Sequence, residues 1–195
     1  MAEQGPFYVY AAFVFVYGTK VSGMSRDFLL TALLVATALS AVTIPLSGYI
    51  SDRIGRKRMY LIGAVSVGVF AFIYFAMMNS MVPGLIFLAI ILSFVPHDMM
   101  YGPQAALIAE CFAPRLRYSG SSLGFHLASI VAGGPAPLIA TALFAATGSG
   151  YAVALYIAFC AIVSISATAF LPDYTNRDIS REHGASDLLG QAAES

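Results

Sequence analysis

Six stretches of this chain are apolar enough to lie in a bilayer: roughly 1–19, 28–50, 59–78, 84–112, 120–146 and 150–171. Most reach the ~20 residues that a helix rising about 1.5 Å per residue needs to cross a hydrocarbon core. Backbone groups in lipid must be satisfied internally, which leaves helices or closed barrels. The alternating polarity of barrel strands is absent here. The expectation is therefore an all-α, polytopic membrane protein of six transmembrane helices spanning 1–171, followed by a polar, cytoplasmic tail over 172–195. Composition agrees. Mean hydropathy is +0.80, and 10% of residues are charged, where soluble domains carry about a quarter. A water-soluble fold of 195 residues cannot hide so much apolar surface, and disorder is excluded for the same reason.

The few cations are unevenly spread. Arg53, Arg56, Lys57 and Arg58 crowd into the segment GYISDRIGRKRMY at 48–60. With six crossings, the turns near 51–58 and 113–119 and the tail share one side. That side holds Arg53, Arg56, Lys57, Arg58, Arg115, Arg117, Arg177 and Arg181, eight of the ten Lys and Arg residues, leaving Lys20 and Arg26 opposite. The positive-inside rule places the eight in the cytoplasm of a cell whose plasma membrane the chain crosses. Basic residues confined to short turns between apolar runs make nucleic acid an unsuitable partner. Cys111 and Cys160 lie in or beside apolar spans without a CxxC or metal-ligand cluster, and read as packed, reduced thiols.

The first run is unusual. Its apolar residues begin near Phe7, so Met1, Glu3 and Gln4 fall where the inner half of a spanning helix belongs. Charges there cost about 2.5–3.5 kcal/mol each on insertion scales. Two readings follow: a short crossing that starts at the interface, or a helix whose beginning is missing, which we favour. The opening MAEQGP has Glu3 and no cationic stretch, so the run does not read as a cleavable export sequence.

The turn at 48–58 contains more than positive charge. Gly48 lets another helix approach, Asp52 suits a helix N-terminus or an Arg partner, and Gly55 permits a tight turn. A generic basic stop would not demand two glycines and an acid at these spacings. The pattern resembles the loop signature of the major facilitator superfamily, G-x-x-x-D-[RK]-x-G-[RK]-[RK], matched at every position. What the resemblance implies is a gate motif (Gly48, Asp52, Arg53, Gly55, Arg56, Lys57, Arg58) whose contacts hold the cytoplasmic side shut in one conformation and break in the other. Residues 97–141 carry YGPQAA, a P-x-R-x-RYSG loop and GGPAPLIAT, and 2–8 read AEQGPFY. These resemble the tenth, eleventh and seventh helices of the metabolite:proton symporter family, whose members carry shikimate, oxoglutarate, citrate, or proline and betaine. The implied fold is one half of a twelve-helix transporter, built from two inverted three-helix repeats. The implied partner is a missing N-terminal six-helix half or a second copy of the chain.

Polar residues within the apolar runs mark candidate sites. His97, Tyr101 and Gln104 fall on one stripe of the fourth run, with Asp98 beside them. Pro96 and Pro103 weaken that helix as expected where backbone lines a cavity. His97 reads either as a histidine hydrogen-bonded within the bundle or as a proton-linked group. Intramembrane acids such as Asp98 face a cavity or a partner. On the fifth run Ser122, His126, Ser129 and Gly133 form another stripe, readable as helix packing or, at His126, as a substrate contact. Pro135 and Pro137 after Gly133 and Gly134 mark a bend. Glu110, Arg115 and Arg117 flank the second cytoplasmic turn, as gate partners or as topological anchors. Gly120-Ser121-Ser122-Leu123-Gly124 matches the hydrolase elbow G-x-S-x-G, but that motif needs a preceding strand and Asp and His partners. Opening a membrane helix, it reads as a GxxxG contact face instead.

No Walker loop, HExxH or dinucleotide fingerprint occurs, so neither an enzyme nor a cofactor or metal is expected. The favoured function is the C-terminal half of a proton-coupled transporter of a small metabolite, an organic acid or a zwitterion. Glu3, His97 and Asp98 are the proton-linked candidates, and Tyr101, Gln104 and His126 the substrate contacts. A truncated gene product without transport of its own, a membrane scaffold and a small homodimeric channel are the alternatives.

Overall fold

A computed structural model of the chain describes residues 2–112 and 116–171. Every regular element among them is helical: α1 (Gln4–Tyr8), a π-helical turn (Val9–Phe13), α2 (Val14–Lys20), α3 (Arg26–Ile54), α4 (Arg56–Met78), α5 (Pro83–Ala109), α6 (Arg117–Ala128), a second π-helical turn (Ser129–Gly133), α7 (Ala136–Thr147) and α8 (Gly150–Phe170). The helix ends follow local chemistry. Ser25 caps α3, its hydroxyl accepting from Phe28 N–H at 3.2 Å. Ser149 does the same for Tyr151 N–H at the start of α8. Pro83 occupies the first turn of α5, where its missing N–H costs nothing. Gly55 breaks α3 from α4 at φ 103°, a conformation that side chains rarely adopt.

Five helical stretches are long and apolar enough to cross a membrane: Arg26–Ile54, Arg56–Met78, Pro83–Glu110, Arg117–Thr147 and Gly150–Phe170. The first run, expected as a sixth, is helical from Gln4 to Lys20 in consecutive segments of 5, 5 and 7 residues. At 1.5 Å per residue that rod is about 25 Å long, short of a ~30 Å hydrocarbon core. Arg115 and the tail from 172 lie outside the described residues.

The packing order is that of two interleaved triplets. In the first triplet (the α1–α2 rod, α3, α4) and the second (α5, α6–α7, α8), the first member of each packs on the second of the other. Thus α5 lies on α3, and the rod lies on α7. The third members, α4 and α8, lie together, and α4 also packs along α5. Phe13, Phe75, Met78, Ile86, Ile90, Met100 and Ile157 fill the centre, each less than 2% exposed. Leu34, Val69, Leu138 and Phe159 project outward, as they do where the solvent is lipid.

The bend expected near Pro135 and Pro137 begins earlier, at the π-turn Ser129–Gly133, with Pro135 at the start of α7. Here the rod and the fifth helix cross. A Cβ on Gly133 would lie 2.7 Å from the Tyr8 ring, so this contact requires glycine. The GxxxG expectation needs correction. Gly120 does lie against a neighbour, the Phe112 ring, but nothing comes within 4 Å of a Cβ on Gly124, so the pair does not form a continuous helix-contact face.

Candidate functional site: a buried acid–imidazole–acid trio

Glu3, His97 and Asp98 meet in the middle of the bundle, exposed by only 2%, 6% and 1%. His97 sits about midway along α5, while Glu3 precedes the rod and is carried to the same depth. His97 Nε2 lies 3.2 Å from Glu3 Oε1, and its Nδ1 lies 3.0 Å from Asp98 Oδ1. The outer carboxylate oxygens are also engaged. Gln104 Nε2 donates to Glu3 Oε2 at 3.4 Å, and Thr43 Oγ1 of α3 donates to Asp98 Oδ2. The imidazole is stacked between two rings, Phe7 at 4.9 Å and Tyr101 at 5.6 Å between centroids. The trio therefore ties three helical units together, the rod to α5 through His97 and α3 to α5 through Asp98.

The proton count of this arrangement is constrained. Each ring nitrogen faces a carboxylate oxygen, and two acceptors cannot bond each other. Both contacts are made when His97 is imidazolium between two carboxylates, or when one acid carries the second proton. Removing that proton leaves one buried contact as acceptor against acceptor, a costly state. The contact at Nε2 joins the rod to α5, whereas that at Nδ1 stays within α5. The trio is thus a group whose protonation bears on how the rod is held.

The trio forms part of the wall of a cavity of about 660 Å³ between the rod, α3, α5 and α6. Tyr101 and His126 line the same space, and Thr37 and Ser40 reach it from α3. Gln104 instead lines two neighbouring spaces, one of about 420 Å³ with Tyr118 and Ser122 and one of about 250 Å³ with Tyr60 and Thr168. Of the fifth-helix stripe, His126 and Ser129 line the large cavity, Ser122 the second, and Gly133 is consumed in packing. Thr43, Thr37 and Ser40 were not singled out from sequence. Their spacing of three along one face of an apolar helix was the available signal.

The gate-motif residues lie at the end of α3 opposite its Ser25 cap and at the start of α4. Arg56 binds Asp52 one turn earlier at 3.0 Å and reaches across to Glu110 at the end of α5. Arg115 and Arg117 were expected either to pair with Glu110 or Asp52 or to anchor the turn; the first turn's Arg56 is itself a partner of Glu110. Lys57 Nζ donates to the carbonyls of Ala169 and Leu171 at 3.0 and 2.5 Å, closing the C-terminus of α8. Arg53 lies over the Tyr49 ring at 4.7 Å, and Arg58 is exposed. Gly48 faces Gly102 of α5, where a Cβ on Gly48 would meet Gly102 O at 3.7 Å. Arg117 begins α6. Cys160 is buried as expected, but Cys111, just past α5, is exposed instead of packed, its thiol still pushed up by desolvation and then by the Glu110 carboxylate. Among the described residues no group of three or more His, Cys, Asp or Glu side chains is arranged to hold a metal ion.

A bundle of lipid-length helices with an ionisable trio buried at mid-depth beside a cavity defines a multi-pass membrane protein. The chain belongs to the Major Facilitator Superfamily, whose family model matches residues 5–190. It is 32% identical over 168 residues to the shikimate transporter of Escherichia coli (strain K12), covering 85% of this chain and 38% of that protein. It is 31% identical over 168 residues to the citrate-proton symporter of Klebsiella pneumoniae, covering 85% and 37%. The proline/betaine transporter of E. coli K12 is 29% identical over 150 residues, covering 77% and 30%. The chain therefore spans well under half the length of these relatives. No solved structure matches it. The family is one of transporters and not of enzymes.

Proposed function

We propose that the chain forms the C-terminal six-helix half of a proton-coupled secondary transporter for a small metabolite, an organic acid or a zwitterion. The observation that supports this most is the buried Glu3–His97–Asp98 trio on the wall of the large cavity. In such a half, Glu3, His97 and Asp98 hold the coupled proton, Tyr101 and His126 face the solute, and Gln104, which borders the neighbouring spaces, donates to Glu3. Loss of the second trio proton weakens the tie between the rod and α5, which Gln104 also makes to Glu3, and favours the alternate access state. One proton moving through 100 mV supplies about 2.3 kcal/mol, enough for roughly 50-fold accumulation of a neutral solute.

The turn between α3 and α4 lies in the cytoplasm of this arrangement, as does the C-terminal tail, with the chain in the plasma membrane. Arg56, Asp52 and Glu110 hold the inner gate. The facing wall of the solute site comes from an N-terminal six-helix half, or from a second copy. The test is uptake into proteoliposomes. The purified chain, alone and together with the N-terminal half of a relative such as the shikimate transporter, is reconstituted with an inward proton gradient. Saturable uptake that collapses when the gradient is dissipated is the expected result for one of the two preparations. Gradient-independent leak in both, or silence in both, overturns the reading.

A further inference from the structure

The large cavity has a charge that its own lining leaves unbalanced. Among the described residues, the ionisable groups on it are Glu3, His97, Asp98, Tyr8, Tyr101 and the exposed His126, with no lysine or arginine in the lining. Even with both trio contacts made and His97 cationic, two carboxylates against one imidazolium leave a net negative charge. Glu3 and Asp98 are almost wholly shielded from solvent, so that charge is weakly screened. Around it stand aromatic rings from three helical units: Phe7 and Tyr8 on the rod, Tyr101 on α5 and Phe125 on α6. The faces of such rings attract cations. A further polar group is unspent. Ser40 lines the cavity, is only 7% exposed, and its hydroxyl has no hydrogen-bond partner among the described residues.

We infer that this cavity holds its solute through an ammonium group, taking an organic cation or a zwitterion and rejecting a polycarboxylate. The inference rests on reading the cavity as the solute site and narrows the solute class given above. An ammonium balances the residual charge and lies against the rings, and the Ser40 hydroxyl serves an acceptor elsewhere on a zwitterion. A polycarboxylate brings further negative charge toward Glu3 and Asp98, and no lysine or arginine among the described residues of this wall receives it.

The full chain in lipid nanodiscs at pH 8, above the ordinary imidazole range, is titrated with radiolabelled tetramethylammonium, glycine betaine and tricarballylate. Tetramethylammonium and glycine betaine are expected to compete for one saturable site that tricarballylate neither fills nor blocks. Tyr101, at 42% exposure, can be changed without opening the core. Tyr101→Ala is expected to weaken tetramethylammonium binding about tenfold, and Tyr101→Phe, which keeps the ring face, to restore it. Saturable binding of tricarballylate, or of none of the three, overturns the inference, as does equal loss in both Tyr101 variants. Binding needs no gradient. Ammonium binding without proton-dependent uptake therefore defeats the transport reading alone, and proton-driven uptake of tricarballylate defeats this inference alone.

Discussion

Gly102 of α5 lies so close to Gly48 of α3 that a Cβ on Gly102 would sit 2.8 Å from the Gly48 nitrogen and 2.8 Å from the Ile44 carbonyl oxygen. The relationship is not reciprocal, because a Cβ on Gly48 would meet Gly102 O at 3.7 Å, an ordinary contact distance. The two substitutions therefore separate packing from gating. Gly102→Ala forces backbone apart and is expected to cost about 1–3 kcal/mol, read as a lower unfolding midpoint in nanodiscs. Gly48→Ala is expected to change that midpoint little. If Gly48 serves the gate, its alanine variant loses uptake while keeping stability, and equal destabilisation by both variants would refute the asymmetry.

Arg56 has two acidic partners in unequal surroundings. The Asp52 side chain is 60% exposed, whereas that of Glu110 is 9% exposed. Exposed pairs contribute about 0.2–1 kcal/mol. A shielded carboxylate stripped of its partner costs about 1–3 kcal/mol. Asp52→Asn is thus expected to be nearly neutral in stability and Arg56→Gln clearly destabilising. In a double-mutant cycle the Arg56–Glu110 coupling should exceed that of Arg56–Asp52. A larger Asp52 coupling would show that the cross-helix contact does not hold this end of α5.

Lys57 illustrates a gate-motif residue with a structural task. Its ammonium closes the last carbonyls of α8, an interaction of about 0.3–1 kcal/mol at a helix C-terminus. Lys57→Met is expected to speed hydrogen exchange at the amides of Thr168, Ala169 and Phe170 without affecting the middle of α8. Unchanged exchange there would remove Lys57 from the role.

The helical, membrane-spanning class was legible because apolar run length is a direct physical requirement of the bilayer, and the turn at Gly55 because its neighbours leave glycine as the residue for a positive φ. The stripe of His97, Tyr101 and Gln104 followed from helical period alone. What period cannot give is the identity of the residue across the gap. Thr43 on Asp98, Arg56 on Glu110 and Gly102 beneath Gly48 are all long-range pairings set by how α3, α4 and α5 pack. Gly124 shows the converse, since a spacing that promises a contact meets open space when no helix is set against it. Glu3 was difficult for another reason. Its sequence position implied an interface or an inner half-span, yet the rod it precedes delivers it to His97.

That Glu3–His97 contact gives the sharpest test of coupling. Glu3→Gln keeps the side chain's size and its capacity to bond one ring nitrogen, but removes a charge and an acidic site for the shared proton. If the trio carries the transported proton, net uptake driven by a proton gradient should fall at least about tenfold. Solute-for-solute exchange across the same liposomes, which requires no net proton movement, should persist. His97→Asn, which lacks a titrating ring, should give the same split. Loss of exchange together with net uptake in both variants, with unchanged unfolding midpoints, would show that these residues bind solute instead of carrying the proton. Retention of gradient-driven uptake in both would remove the trio from coupling altogether.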